Sequence, residues 1–85
     1  MIVLENVTNI NNKIMEHYKK SVETYWALHE LCKLTNEHEI KRAIKEMMYD
    51  EYLHARYMRK YLMSHDAYMN AEDVERKFLL IESDD

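Results

Sequence analysis

The chain contains no glycine and no proline, and these two absences limit its fold more than any other feature. Its 85 residues include 0 Gly and 0 Pro. Two-residue turns between β-strands depend on glycine-containing pairs, so strand hairpins are disfavoured throughout. Leu, Met, Ala, Glu and Lys are frequent and favour helices. The sequence therefore predicts an all-α protein.

Hydrophobic periodicity divides the chain into three helices within one domain, residues 1–85. Their predicted spans are about 8–34 for helix 1, about 37–64 for helix 2 and about 71–81 for a short helix 3. Helix 1 is expected to begin near Thr8 or Asn9, which are good N-cap residues. Asn36 followed by Glu39 predicts a capping box that opens helix 2.

The two long helices are predicted to form an antiparallel hairpin. A hairpin alone leaves half of each apolar stripe in water. Helix 3, with Val74, Phe78 and Ile81 on its apolar face, is too short to cover helices of about 38 Å. We therefore expect the hairpin to assemble into four-helix bundles, as a homodimer or higher homo-oligomer.

Cysteine usage and the N-terminal residues bear on the compartment. The single cysteine, Cys32, excludes an internal disulfide and fits a reducing environment. The opening Met-Ile-Val-Leu is interrupted by Glu5 and Asn6, and no apolar run approaches the roughly 20 residues that span a bilayer. The sequence therefore predicts a cytoplasmic protein with no membrane partner.

Two charged residues interrupt the apolar stripe of helix 2. At helical spacing the stripe comprises Ile40, Ile44, Met47, Glu51, His54, Met58, Tyr61 and Leu62. A buried charge is costly unless it is paired, hydrogen-bonded or bound to a metal. Glu-x-x-His facing into a helical bundle is also a ligand arrangement of di-metal carboxylate proteins. Glu51 and His54 are therefore the first candidate site residues.

Counting from the predicted hairpin turn identifies the helix-1 residues opposite this pair. The residues at that height are Tyr18, Ser21 and, at the edge of the apolar arc, His17. None of them is a glutamate. Two interpretations stay open: a metal site that Glu51 and His54 form with His17 or Tyr18, or a structural pair of Glu51 with His54 or with a tyrosine such as Tyr18 or Tyr25.

Helix 2 resembles a helix of a known family. The run Glu51-Tyr-Leu-His54-Ala55-Arg-Tyr-Met-Arg-Lys-Tyr61-Leu62 is similar to the second helix of rubrerythrins and other ferritin-like proteins. There, Glu-x-x-His-Ala precedes an apolar, basic and aromatic run. In helix 1, Ser21, Tyr25 and Leu28 resemble the positions that follow the family's first ligand glutamate, and Tyr18 occupies the place of that glutamate.

The resemblance carries expectations for fold and function. It is greatest to half-bundle members such as encapsulated ferritins, which build an iron site across a subunit interface. It implies a ferritin-like bundle with a di-metal site of the iron type, Glu51 and His54 as ligands, and iron handling or oxidation as the role. Two copies would supply two carboxylates and two imidazoles, which also suit manganese or zinc. Whether the chain is an enzyme stays open.

A basic and aromatic stripe on helix 2 supports an alternative. Its residues are Lys41, Arg42, Lys45, Tyr49, Tyr52, Arg56, Arg59 and Lys60. Such a stripe is typical of surfaces that bind phosphate groups or nucleic acid, although it is also compatible with a solvated face. The alternative is a non-catalytic binding or regulatory protein on a ferritin-like scaffold that acts on a protein or an anionic partner.

The remaining histidines carry weaker signals. His29 lies on the inner arc of helix 1, nearer the hairpin turn than Glu51, and is predicted to be an interface histidine with its hydrogen bonds satisfied. His38 and His65 lie near helix ends and are predicted to be solvated.

Overall fold

Three helices make up the part of the chain that the computed structural model describes, namely the backbone of residues 2–67 and 72–83, with side chains from residue 7 onward. They are α1 (Ile2–Cys32), α2 (His38–Ser64) and α3 (Glu72–Ser83). These two ranges contain no strand, which confirms the predicted all-α class. None of the three helices is long and apolar enough to cross a membrane over the described residues.

The first helix starts earlier than expected. It begins at Ile2 rather than near Thr8 or Asn9. The preceding residues include no Gly or Pro that would stop a helix, so the two capping residues become interior positions. The predicted start of helix 3, at about residue 71, lies outside the described residues.

The turn between α1 and α2 also differs from the prediction. The N-cap of α2 is Glu37, and its side chain makes no capping hydrogen bond. The backbone N–H of Glu37 donates instead to Thr35 Oγ1 at 3.2 Å. The predicted capping box of Asn36 and Glu39 is therefore wrong, because the chain leaves the turn one residue later than the box requires.

The core lies where α3 packs across the α1–α2 hairpin. Its buried members are Tyr18, Val22, Ala55, Leu62, Phe78 and Ile81. Phe78 is fully buried, with its ring stacked on Tyr52 at 5.9 Å and tilted against Tyr18 at 6.0 Å. Val74 packs against the same core, so the predicted apolar face of helix 3 is confirmed. Burying one such aromatic side chain contributes about 1.5–3 kcal/mol.

The face of α2 that enters the core is not the predicted stripe. The buried residues are Met48, Ala55 and Leu62, spaced seven apart. Of these, only Leu62 belongs to the predicted stripe, whose members Ile40 and Met47 stay 45% and 49% exposed. The reason is that α2 contacts both α1 and α3, so its buried arc is turned toward α3. The predicted stripe therefore lies at the edge of the core.

A half-buried ion pair fastens α3 to α2. Arg59 Nε and Nη2 donate to the two carboxylate oxygens of Glu75, each at 2.8 Å, which is a bidentate arrangement. Tyr18 Oη donates to the same carboxylate at 3.1 Å. The guanidinium of Arg59 also lies over the Phe78 ring, 5.3 Å from its centroid. One carboxylate thus joins all three helices.

Two further hydrogen bonds hold α3 along its length. Trp26 Nε1 donates to the backbone oxygen of Lys77 at 3.2 Å. Tyr52 Oη donates to Glu82 Oε2 at 3.0 Å. Together with the ion pair, these bonds place α3 on one side of the hairpin only.

The opposite side of the hairpin has no helix of the described chain against it. We call it the open face; it comprises Ile10, His17 and Ser21 of α1 and Met47, Glu51, His54 and Met58 of α2, which follow helical spacing. The radius of gyration is 15.0 Å, whereas a compact domain of this length has about 12 Å. The elongated shape leaves apolar side chains of this face in water.

The ion pair provides a first prediction. Arg59→Ala leaves the half-buried Glu75 without its bidentate partner, and we expect the free energy of unfolding in urea to fall by about 1–3 kcal/mol. Arg56→Ala, three residues earlier at an exposed position with no ion pair among the described residues, is the matched control. An equal fall in the unfolding free energy of both variants would show that the Arg59–Glu75 pair does not stabilise the fold.

The core provides a second prediction. Phe78→Ala should lower the unfolding free energy by about 3–5 kcal/mol, because the ring fills the space between three helices. Leu80→Ala, on the same helix but 53% exposed, should change it by less than about 1 kcal/mol. Thermal unfolding followed by circular dichroism distinguishes the two. A Phe78→Ala protein as stable as Leu80→Ala would contradict the docked position of α3.

Candidate functional site

Glu51 and His54 lie next to each other on the open face. Glu51 Oε1 is 3.9 Å from His54 Nδ1, across one turn of α2. The Glu51 side chain is 26% exposed and that of His54 is 64% exposed. The pair therefore lies beside the buried face of α2, and its enclosure by a second copy stays a prediction. The turn of α2 toward α3 moves the pair to the rim of the core.

His54 borders a shallow hollow that both long helices line. The hollow has a volume of about 350 Å³ and is lined by His17, Ser21, His54, Tyr57 and Met58. His17 and Ser21 are residues that counting from the hairpin turn placed level with the pair. The prediction that these two residues lie level with His54 in the antiparallel hairpin is therefore confirmed. The imidazoles of His17 and His54 consequently line one hollow of the open face, and the Glu51 carboxylate lies beside His54.

Tyr18, the other residue predicted to complete a metal shell, is placed elsewhere. It is fully buried, packs against Phe78 and donates its hydroxyl to Glu75 on the α3 side. The contacts of Tyr18 are therefore structural, on the side of the hairpin away from Glu51 and His54. The Tyr18 hydroxyl holds the carboxylate that also binds Arg59.

The described part of one chain holds no complete set of metal ligands. Among the described residues, no three His, Cys, Asp or Glu side chains gather closely enough to hold an ion. Zinc sites use four ligands, or three and a water, and iron and manganese sites in bundles use at least as many. A metal site that included Glu51 and His54 would therefore need further ligands.

The basic stripe of α2 is divided between two environments. Lys41, Arg42, Lys45 and Tyr49 line a hollow of about 860 Å³ at the start of α2; the other lining residues are His38, Glu46 and Asp50. Arg42 Nε is 3.8 Å from Glu46 Oε1, and both side chains are exposed. Arg56 and Lys60 are exposed further along the helix.

Two members of the predicted stripe belong to the core contact instead. Arg59 is paired with Glu75, and Tyr52 stacks on Phe78 and donates to Glu82. Their assignment to an outer binding surface is therefore wrong. Sequence spacing placed them outward because it could not show which side of α2 the third helix covers.

A third hollow joins all three helices, and the sequence did not reveal it. It has a volume of about 490 Å³ and is lined by Tyr25, His29, Lys45, Met48, Tyr49, Tyr52 and Ile81. The Nδ1 atom of His29 is buried and has no hydrogen-bond partner among the described residues. The prediction of a satisfied interface histidine is therefore wrong. Only the docking of Ile81 brings these residues together.

Comparison with known proteins does not assign a family. No protein-family model, curated protein or solved structure matches this chain.

Proposed function

We propose that the chain is a ferritin-like metal-binding protein in which two copies pair through their open faces. Glu51 and His54 of each copy would then supply the ligands of a shared site. The observation that carries this proposal is the placement of a half-buried carboxylate and an imidazole, 3.9 Å apart, on the face that α3 leaves uncovered.

The chemistry of the pair supports a metal as the occupant. Covering Glu51 with a second copy removes its carboxylate from water, which costs several kcal/mol unless the charge is compensated. A divalent cation compensates two such carboxylates at once. The imidazole of His54 suits iron, zinc or manganese, and the carboxylate suits the harder of these ions.

The composition of the open face supports a second copy as its cover. Apolar side chains, among them Ile10 and Met47, flank the polar pair and are about half exposed. A two-fold axis near the pair would place these apolar residues against their equivalents and would double the ligand number to two carboxylates and two imidazoles. His17, which lines the hollow beside His54, would extend the donor set. Iron handling is the role that this arrangement fits best.

Elemental analysis tests the proposal. Protein purified without a metal-affinity tag, equilibrated with Fe(II), Mn(II) or Zn(II) and desalted, should retain about 0.5–1 ion per chain, since two chains share one or two ions. Glu51→Ala together with His54→Ala should reduce the retained metal to background. The control, His38→Ala with Glu39→Ala, removes the same two groups from the exposed first turn of α2 and should retain it. Equal metal content in both double variants would contradict the site.

A second candidate function rests on the hollow at the start of α2. Lys41, Arg42 and Lys45 gather there with Tyr49, and the cations and aromatic ring fit an anionic partner such as a nucleotide or nucleic acid. Glu46 and Asp50 on the same rim oppose this interpretation, because they lower the local positive charge. Metal binding is therefore the first proposal and anion binding the alternative.

Charge reversal tests the alternative. Lys41→Glu with Arg42→Glu should make the protein elute from a heparin column at lower salt, because each lost phosphate-type contact removes about one released counterion. Arg56→Glu with Lys60→Glu makes the same change in net charge further along α2. If both double variants elute at the same salt concentration, the hollow is not an anion site.

A further inference from the structure

We infer a separate binding site, for a small carboxylate with an apolar body, in the hollow that joins the three helices. At about 490 Å³ it falls within the roughly 300–1,000 Å³ of small-molecule sites. Such sites are lined mainly by apolar and aromatic side chains with a few polar groups that orient the ligand. This hollow lies on the α3 side of the hairpin, so it is independent of the proposed metal site.

The apolar part of the hollow is already ordered by the fold. Met48 and Ile81 are buried residues that border it. The Tyr52 ring is held between Phe78, on which it stacks, and Glu82, which accepts its hydroxyl hydrogen. Tyr49 lies 6.4 Å from Tyr52, between ring centroids. An aromatic or aliphatic body would thus bind to walls that need little reorganisation, which favours affinity.

The charged side chains at the hollow determine whether it favours an anionic or a cationic ligand. Lys45 lines it, is exposed and makes no ion pair within residues 7–67 and 72–83. Aromatic walls can also hold an ammonium ion through cation–π contacts. Here the Lys45 ammonium would repel such a cation and attract a carboxylate. Among the described residues, two acidic groups contact lining residues: Glu82 accepts the Tyr52 hydroxyl hydrogen, and Glu30, whose Oε1 is 4.0 Å from His29 Nδ1, is paired with Lys33.

His29 adds a second polar group. Its Nδ1 atom is buried and has no hydrogen-bond partner in the described part of the chain; Glu30 Oε1 lies 4.0 Å from it, beyond hydrogen-bonding distance, and the side chain is 31% exposed. The exposed part is therefore the remainder of the ring, which borders the hollow. One ammonium and one imidazole on apolar walls suit a single negative charge. A phosphate group, with more charge and three acceptor oxygens, is usually held by several arginines or backbone amides.

The only tryptophan of the chain gives a direct readout. Trp26 contacts two lining residues, with ring centroids 5.2 Å from Tyr25 and 5.3 Å from His29. Phenylpropionate, phenylpropanol and phenylpropylamine share one body and differ in charge. Titrated into the full chain, phenylpropionate should change Trp26 emission saturably and bind at least about threefold more tightly than the alcohol, with the amine weakest.

Variants assign the binding to this hollow. Lys45→Met keeps the apolar stem, and we expect it to weaken phenylpropionate about three- to tenfold while leaving phenylpropanol unchanged. Lys41→Met, one turn earlier and outside this hollow, is the matched control and should bind like the natural chain. Tyr49→Ser removes part of an aromatic wall at an exposed position and should weaken all three ligands.

Either of two results would overturn the inference. One is equal affinity for the three ligands, or equal binding by Lys45→Met and Lys41→Met. The other is the absence of a saturable change both in Trp26 emission and in the nuclear magnetic resonance signals of the Met48 and Ile81 methyl groups. Neither result would change how much metal the protein retains. The carboxylate-binding site can therefore be refuted without refuting the proposed metal site.

Discussion

The contact between Arg59 and Glu75 determines which parts of the molecule are available for function. Its two short hydrogen bonds, with a third from Tyr18 to the same carboxylate, hold α3 against one side of the α1–α2 hairpin. A partly buried pair of this kind contributes chiefly by fixing one arrangement, since the cost of desolvation offsets much of the attraction. Because α3 occupies that side, α2 turns its Met48–Leu62 arc inward and leaves Glu51 and His54 on the other.

The two sides of the hairpin consequently have different chemistry. The side covered by α3 contains the aromatic core and a hollow with one lysine and one histidine at an apolar wall. The open face combines half-exposed apolar residues with a carboxylate–imidazole pair. Exposure of these apolar residues to water is unfavourable, and burial of the carboxylate is unfavourable unless its charge is compensated. A second copy would cover the apolar residues, and a metal ion shared by the two copies would compensate the carboxylate charge.

The apolar face of helix 3 and the α1 residues that lie level with His54 were predicted correctly from the sequence, whereas the orientation of α2 was not. Helix 3 has one neighbouring surface, so its Phe78 and Ile81 had only one way to pack. Counting from the turn placed His17 and Ser21 opposite His54 because antiparallel helices rise equally per residue. The orientation of α2 depends on its contacts with both α1 and α3, and hydrophobic periodicity does not show which of these helices its apolar face will meet. For that reason sequence spacing placed Arg59 on an outer face, whereas it pairs with Glu75, and it did not show that Glu51 lies on the side away from α3.

We propose that the open face is a contact between two copies, and the molecular mass in solution tests this most directly. Sedimentation equilibrium in the presence of the bound metal should give twice the chain mass of 10.4 kDa, or a higher even multiple. Ile10→Lys with Met47→Lys should give single chains. Leu79→Lys with Leu80→Lys, equally exposed on α3, should leave the mass unchanged. A natural chain that stays single, or dissociation caused only by the α3 substitutions, would contradict the account.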